Sequence, residues 1–146
     1  EELFGTEGFS STSSLVYHLN PPTMVKEIGK AHYARPEVGI DENLKALSFM
    51  GYDVKPEADY IDSRKVFLFN DDMQIGIACP SESMKTYFFK NSDADEMLFI
   101  HDGSGRCKTM YGTVEFEYGD YVVIPRGTVY QLEFDTAENR ILFVES

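Results

Sequence analysis

Residues 96–134 read EMLFIHDGSGRCKTMYGTVEFEYGDYVVIPRGTVYQLEF, and the way this stretch divides decides the fold. Short apolar or β-branched runs, Met97 to Ile100, Cys107 to Met110, Thr113 to Tyr118, Tyr121 to Ile124 and Val129 to Phe134, are separated by turn-forming residues: Asp102-Gly103-Ser104-Gly105, Tyr111-Gly112, Tyr118-Gly119-Asp120 and Arg126-Gly127. Alternation within the runs gives each strand two faces. In Val129 to Phe134, Tyr130, Leu132 and Phe134 share one face, so Tyr130 points inward. In Thr113 to Tyr118 the apolar face is Val114, Phe116 and Tyr118. Glu96 shares parity with Leu98 and Ile100, which sets a carboxylate on a face that should be apolar, at a cost unless something pairs with it.

Working outward, the same signature predicts strands at Val66 to Phe69, Gln74 to Ala78, Thr86 to Phe89 and Ile141 to Val144, with Asn70-Asp71-Asp72 as a further turn. Nine short strands with tight turns make a mainly β protein, a sandwich or a barrel. Upstream the character changes, because Pro21-Pro22, Pro36 and Pro56 interrupt ladders and helices alike. Ser13 to Leu19 reads as a strand, and Asp41 to Met50 as a short helix with Asp41 as N-cap and Leu44, Leu47 and Met50 on one face. The expected organisation is an arm over residues 1–62 that packs on the barrel or on a neighbouring subunit, and a β-barrel over 63–146. The final strand at Ile141 to Val144 has nothing after it to fix its end, so a fragment of a longer protein is expected.

The chain has 146 residues, 42% of them hydrophobic, enough to close one core. With 13 Lys and Arg against 25 Asp and Glu its formal charge is −12, a field that repels phosphate backbones and anionic lipid. No nucleic-acid and no membrane partner is expected. No apolar run approaches the ~20 residues of a membrane span, and Glu1-Glu2-Leu3-Phe4 lacks the basic start of a signal peptide, so the protein reads as soluble and cytoplasmic. Cys79 and Cys107 are too few for a disulfide scaffold and read as reduced core residues.

Two spacings carry a resemblance. Glu96 is followed by six residues and Gly103, and Gly119 by five residues and then Pro125-Arg126-Gly127, an order similar to the two motifs of the cupin superfamily, small double-stranded β-helix (jelly-roll) barrels. In metal-binding cupins the first motif also carries two histidines before the glutamate, and the second ends in a histidine. Here the matching places fall among Phe89, Lys90, Asn91 and Ser92, and at Tyr130, so only Glu96 survives. More specifically, Phe88 to Glu96, Thr109 to Gly112 and Tyr118 to Gly127 resemble the N-terminal cupin half of homogentisate 1,2-dioxygenases, as does Ser13 to Pro22.

That resemblance implies an enzyme of two cupins that opens the ring of homogentisate, a small aromatic acid, with O2 in tyrosine and phenylalanine catabolism. Its one Fe(II) sits in the C-terminal cupin on two histidines and a carboxylate. The implication for this chain is a metal-free half with no cofactor of its own and no catalytic residue, acting as scaffold in a homo-oligomer, with Fe(II) expected in the C-terminal cupin. The alternative is a stand-alone metal-free cupin that binds a small ligand. The expected replacement for the metal is a polar contact between Glu96 and Tyr130, with Lys90 at matching parity adding charge.

The remaining candidates weigh against simpler readings. His18, His32 and His101 have no spacing that converges on a 2-His-1-carboxylate site and read first as surface or polar-contact histidines, with a contact to the arm or a second subunit as the functional alternative for His18 and His32. Asp93, Asp95 and Asp102 lack the glycine and closing acid of a calcium loop. Phe88, Phe89, Phe99, Phe116, Tyr121, Tyr130 and Phe134 are candidates to line a small-molecule cavity or to fill the core. Arg126, in the Pro-Arg-Gly turn, is a solvated turn residue or binds a carboxylate of the arm or a second subunit.

Overall fold

Alternating side chains build the strands, and the computed structural model, which describes all residues except 22–23, 30–35 and 40–44, places them in three sheets. A hairpin of β1 (Glu2–Glu7) and β2 (Ser10–Val16) forms a two-stranded sheet of its own, with Phe4 packed edge-on to Tyr111 at 5.0 Å. The barrel strands are β3 (Arg64–Phe69), β4 (Gln74–Ala78), β5 (Phe89–Lys90), β6 (Glu96–Asp102), β7 (Gly105–Thr109), β8 (Gly112–Phe116), β9 (Tyr121–Ile124), β10 (Val129–Phe134) and β11 (Arg140–Glu145). They form a five-stranded sheet in the order β3-β4-β11-β6-β9 and a four-stranded sheet in the order β5-β10-β7-β8, all antiparallel. One core joins them: Ala78, Leu98, Ile100, Ile124, Ile141 and Phe143 from the larger sheet meet Cys107, Phe116, Tyr130 and Leu132 from the smaller, with Tyr60 and Met84 from the connections. This is the jelly-roll barrel that the cupin resemblance implies, one of the architectures, sandwich or barrel, that the strand pattern predicts.

Register fixes which side chains face which way. Across the larger sheet, Glu145 of β11 lies directly opposite both Gln74 and Glu96, and Glu96 lies opposite Ile124, so two carboxylates share the inner face side by side. Next to them runs the inner row Val66, Gly76, Phe143, Leu98 and Val122. Gly76 is required there, because a Cβ would strike the Lys65 carbonyl and the Phe143 ring. Facing outward are two further rows, Leu68-Ile75-Val144-Met97-Val123 and Lys65-Ile77-Leu142-Phe99-Tyr121. The turn Pro125 to Thr128, closed by the Thr128 N–H donating to the Pro125 carbonyl at 3.1 Å, holds Gly127 at φ +82°, a conformation that favours glycine.

Several expectations change. The strand expected at Thr86 to Phe89 reduces to Phe89–Lys90, since the Tyr87 carbonyl accepts its hydrogen bond from the Gln131 side chain and leaves the ladder. The hairpin strand is Ser10–Val16 rather than Ser13 to Leu19, and its partner β1 had no expectation. Of the face expected to be apolar in Thr113 to Tyr118 only Phe116 is buried: Val114 lies on the edge strand β8 and Tyr118 in the turn beyond it, and both are exposed. The start of the expected helix, Asp41 to Leu44, lies outside the described residues. Lys45 to Met50 is not helical, Leu47 and Met50 are exposed with no apolar face packed to hold a helix, and the one helical piece described is a 3₁₀ turn at Gly51–Asp53. Among the described residues no helix is long and apolar enough to cross a membrane.

Candidate functional site

The site begins with a turn just ahead of β3. The Asp59 side chain accepts from the N–H groups of Ile61 and Asp62 at 3.0 and 3.2 Å and from the Tyr87 hydroxyl at 2.5 Å, which pins the turn and drives Tyr60 wholly into the core. Four residues on from Tyr60, β3 carries Arg64 inward. Its guanidinium lies 4.3 Å from the centre of the Phe143 ring and 5.7 Å from that of Tyr60, within cation–π range of both.

Arg64 meets the two inner carboxylates. Its Nη2 is 2.5 Å from Glu145 Oε1 and its Nη1 is 3.9 Å from Glu96 Oε1. From the opposite sheet the Tyr130 hydroxyl donates to Glu96 Oε2 at 2.8 Å, and the Asn91 amide donates to Glu145 Oε1 at 3.1 Å. Glu96, Tyr60 and Tyr130 are almost inaccessible to solvent, at 1%, 0% and 0% exposure. Two carboxylates directly opposite in a sheet repel each other, and a guanidinium between them is what makes the arrangement tenable.

The electrostatics follow from burial. Burial pushes Glu96 up from the ordinary 4.5 to about 7; the Glu145 carboxyl adds to the rise, while the Tyr130 hydrogen bond and Arg64 oppose it. Burial also pushes Tyr60 and Tyr130 well above the usual phenol value, and nearby Glu96 helps, so both hydroxyls stay protonated and Tyr130 remains a donor. Burial alone would lower Arg64, but the neighbouring Glu145 and Glu96 raise it and the guanidinium stays charged. Cys107, buried and near Glu96, is pushed up to about 12 and is an inert thiol.

The residues do not suit the metal that metal-binding cupins hold at these motif positions. A divalent cation would share the interior with a guanidinium, and its donors would be a carboxylate already bonded to a phenol and a phenol that does not ionise. Among the described residues no three His, Cys, Asp or Glu side chains converge in a ligand arrangement.

The other candidate positions scatter. Lys90 is exposed: β5 sets Lys90 opposite Val129 and Phe89 opposite Tyr130, so Phe89 shares the inward face, its ring edge-on to Tyr130 at 5.7 Å. Ser92 is exposed as well. Arg64 holds the role expected of Lys90, and sequence reasoning missed it, because Arg64 and Lys65 head the apolar run as a pair and nothing local tells which of them points inward. Arg126 is exposed, and its backbone N–H donates to Asp95 at 2.6 Å. His18 bonds Glu2 at 2.9 Å within the hairpin, His101 bonds the Tyr52 hydroxyl at 2.5 Å, and His32 lies outside the described residues. The acids near Asp93 serve a turn, in which Asn91 Oδ1 accepts from the Asp93 and Ala94 N–H groups at 3.0 and 3.1 Å. The aromatic set lines no common cavity, because Phe88 and Tyr121 are exposed and Phe99 faces outward, whereas Phe116 and Tyr130 fill the core. Cys79 and Cys107 are both buried and free.

Comparison with known proteins agrees with the fold. Residues 50–146 match the family described as homogentisate 1,2-dioxygenase N-terminal. A protein of Saccharolobus solfataricus that carries a dioxygenase name is 34% identical over 144 residues, 99% of this chain and 37% of that protein. The homogentisate 1,2-dioxygenase of Bradyrhizobium diazoefficiens is 33% identical over 60 residues, 41% of this chain and 13% of that enzyme. The chain therefore spans well under half the length of these relatives. In fold it is similar to the cupin domain of Schizosaccharomyces pombe Cnp3, with a TM-score of 0.53 at 12% identity over 57% of this chain and 62% of that one. A cupin-2 domain protein of Shewanella frigidimarina gives 0.50 at 19% identity over 57% and 78%.

Proposed function

The chain belongs to the homogentisate 1,2-dioxygenase N-terminal family, and from that membership we propose that it is the metal-free cupin half of a ring-cleaving dioxygenase, with Fe(II) and substrate chemistry carried by a second cupin. The observation that supports this reading best is the barrel interior. Glu96 accepts from Tyr130 through Oε2 and faces the Arg64 guanidinium at 3.9 Å through Oε1, a buried setting already occupied by a cation, which supports a role other than metal ligand. On this reading the half acts as scaffold and in oligomer formation, with residues 1–62 as an arm and 63–146 as the barrel. The burial of Tyr60 ties the end of that arm to the barrel core.

The reading is tested by oxygen uptake with homogentisate as substrate. The isolated chain loaded with Fe(II) is expected to consume oxygen no faster than free iron does. A protein that joins this chain to the following cupin in its reading frame is expected to turn over. Turnover by the isolated chain, or a reading frame that encodes no second cupin, would contradict it.

A further inference from the structure

Two carboxylates and one cation meet inside the barrel, and the ladder shows how close the carboxylates come. The Asp95 N–H donates to the Ser146 carbonyl at 2.9 Å and the Ser146 N–H to the Asp95 carbonyl at 3.1 Å, a fully hydrogen-bonded pair. Such pairs alternate with non-hydrogen-bonded ones, so Glu96 opposite Glu145 is of the closer kind, with Cα atoms about 4.5 Å apart and side chains abreast. Both residues are buried, at 1% and 8% exposure. Their partners are unequal. Glu145 Oε1 accepts from Arg64 at 2.5 Å and from the Asn91 amide at 3.1 Å, whereas Glu96 accepts from Tyr130 through Oε2, and its Oε1 meets no hydrogen-bond donor among the described residues.

The other titratable groups that face the pair are the Tyr60 and Tyr130 phenols and the Cys107 thiol, all kept protonated by burial, and among the described residues Arg64 is the only cation there. One guanidinium balances one carboxylate. We propose that Glu96 and Glu145 hold a single proton between them, and that this proton is a pH-sensitive pin for the end of the barrel at Asn91. Two carboxylates in one enclosed site resist double ionisation, and a proton on one lets the carboxyls bond each other while Arg64 keeps its place on Glu145. The pin has a path outward. Asn91, bonded to Glu145 through its amide, accepts from the Gly127 N–H at 2.7 Å through its carbonyl and orders the Asp93 and Ala94 N–H groups through Oδ1. Once the proton leaves, two like charges lie directly opposite, the guanidinium is drawn between them and the hold on Asn91 weakens. Burial sets that step near neutrality, since it pushes Glu96 up to about 7 and Glu145 adds to the rise both as a charge and as a hydrogen-bond partner.

Carbon-13 NMR of the 146-residue chain, labelled at the glutamate carboxyls, tests the sharing. The Glu96 and Glu145 signals are expected to move together through one step near pH 7, and Glu145→Gln to lower the Glu96 midpoint by about a unit or more, because a like charge is replaced by an amide that can donate. A Glu145 signal that ignores the Glu96 step, or a Glu96 midpoint unmoved in Glu145→Gln, would overturn the sharing and leave burial alone as the cause. Amide exchange reads the pin. Protection of the Gly127 N–H, corrected for the intrinsic exchange rate, is expected to fall about tenfold or more between pH 6 and pH 8 in the parent and to stay level in Glu145→Gln. Level protection in the parent, a measurement that needs no variant to fold, would overturn the pin.

Discussion

Tyr130 and Arg64 hold Glu96 by different physics, and each makes a separate measurable contribution. The Tyr130 hydroxyl supplies the only hydrogen bond described to the Glu96 carboxyl from the smaller sheet, at 2.8 Å and out of solvent. Tyr130→Phe keeps the ring and strands that acceptor, so denaturant unfolding is expected to show a loss of about 1–3 kcal/mol; a variant as stable as the parent would remove the contact's structural role. Glu96 titrates near 7 in the folded chain against 4.5 ordinarily. Its raised value means that the folded state holds the proton more tightly, so this group costs nothing below about 4.5 and its cost grows to a full value above about 7. The stability of Glu96→Gln minus that of the parent is therefore expected to rise between pH 5 and pH 8, as read by chemical denaturation at both; a difference that is flat or falls would contradict the buried placement. Parity along β6 and β10 made Glu96 and Tyr130 legible in the sequence as an inward pair. Arg64 was not legible, because its inward aim depends on the turn at Asp59 and on the pairing of β3 with β4, which no local pattern reveals.

At the scale of elements, the centre of the larger sheet is a compromise between charge and packing. β11 brings Glu145 beside Glu96 and, two residues earlier, Phe143 against Gly76 of β4, and the guanidinium of β3 lies over that ring. Gly76→Ala pushes a methyl into both the Lys65 carbonyl and the Phe143 ring, which supports Arg64. A loss of about 1–3 kcal/mol in thermal or denaturant unfolding is expected from this overpacking, and a neutral result would mean that the ring and Arg64 relax freely. Long alternating strands such as β10 and turn-bounded ones such as β4 and β9 could be read from sequence, since period and turn residues agree there. β5 was misplaced because a side chain, Gln131, takes the Tyr87 carbonyl that a ladder would have used. β1 was missed because its pairing with β2 is set across the hairpin and not by alternation within Glu2–Glu7. Val114 and Tyr118 were assigned inward by parity alone, which says which face a residue is on but not whether the opposing layer reaches that far.

For the whole molecule, membership of the homogentisate 1,2-dioxygenase N-terminal family and the jelly-roll barrel agree with a cupin, and we propose that its interior has exchanged a bound metal for a side-chain cation. The two motif spacings were visible in the sequence, as was the absence of histidine from them; what the fold adds is the cation that fills the electrostatic role, on a strand outside both motifs. We propose that Arg64, Glu96, Glu145 and Tyr130 act as a buried polar cluster and not as a ligand set. Elemental analysis of the purified chain after incubation with Fe(II) or Zn(II) and exhaustive dialysis tests this most directly. No stoichiometric metal is expected to be retained by the chain, whereas one tightly held ion per chain, lost on Glu96→Gln, would contradict it.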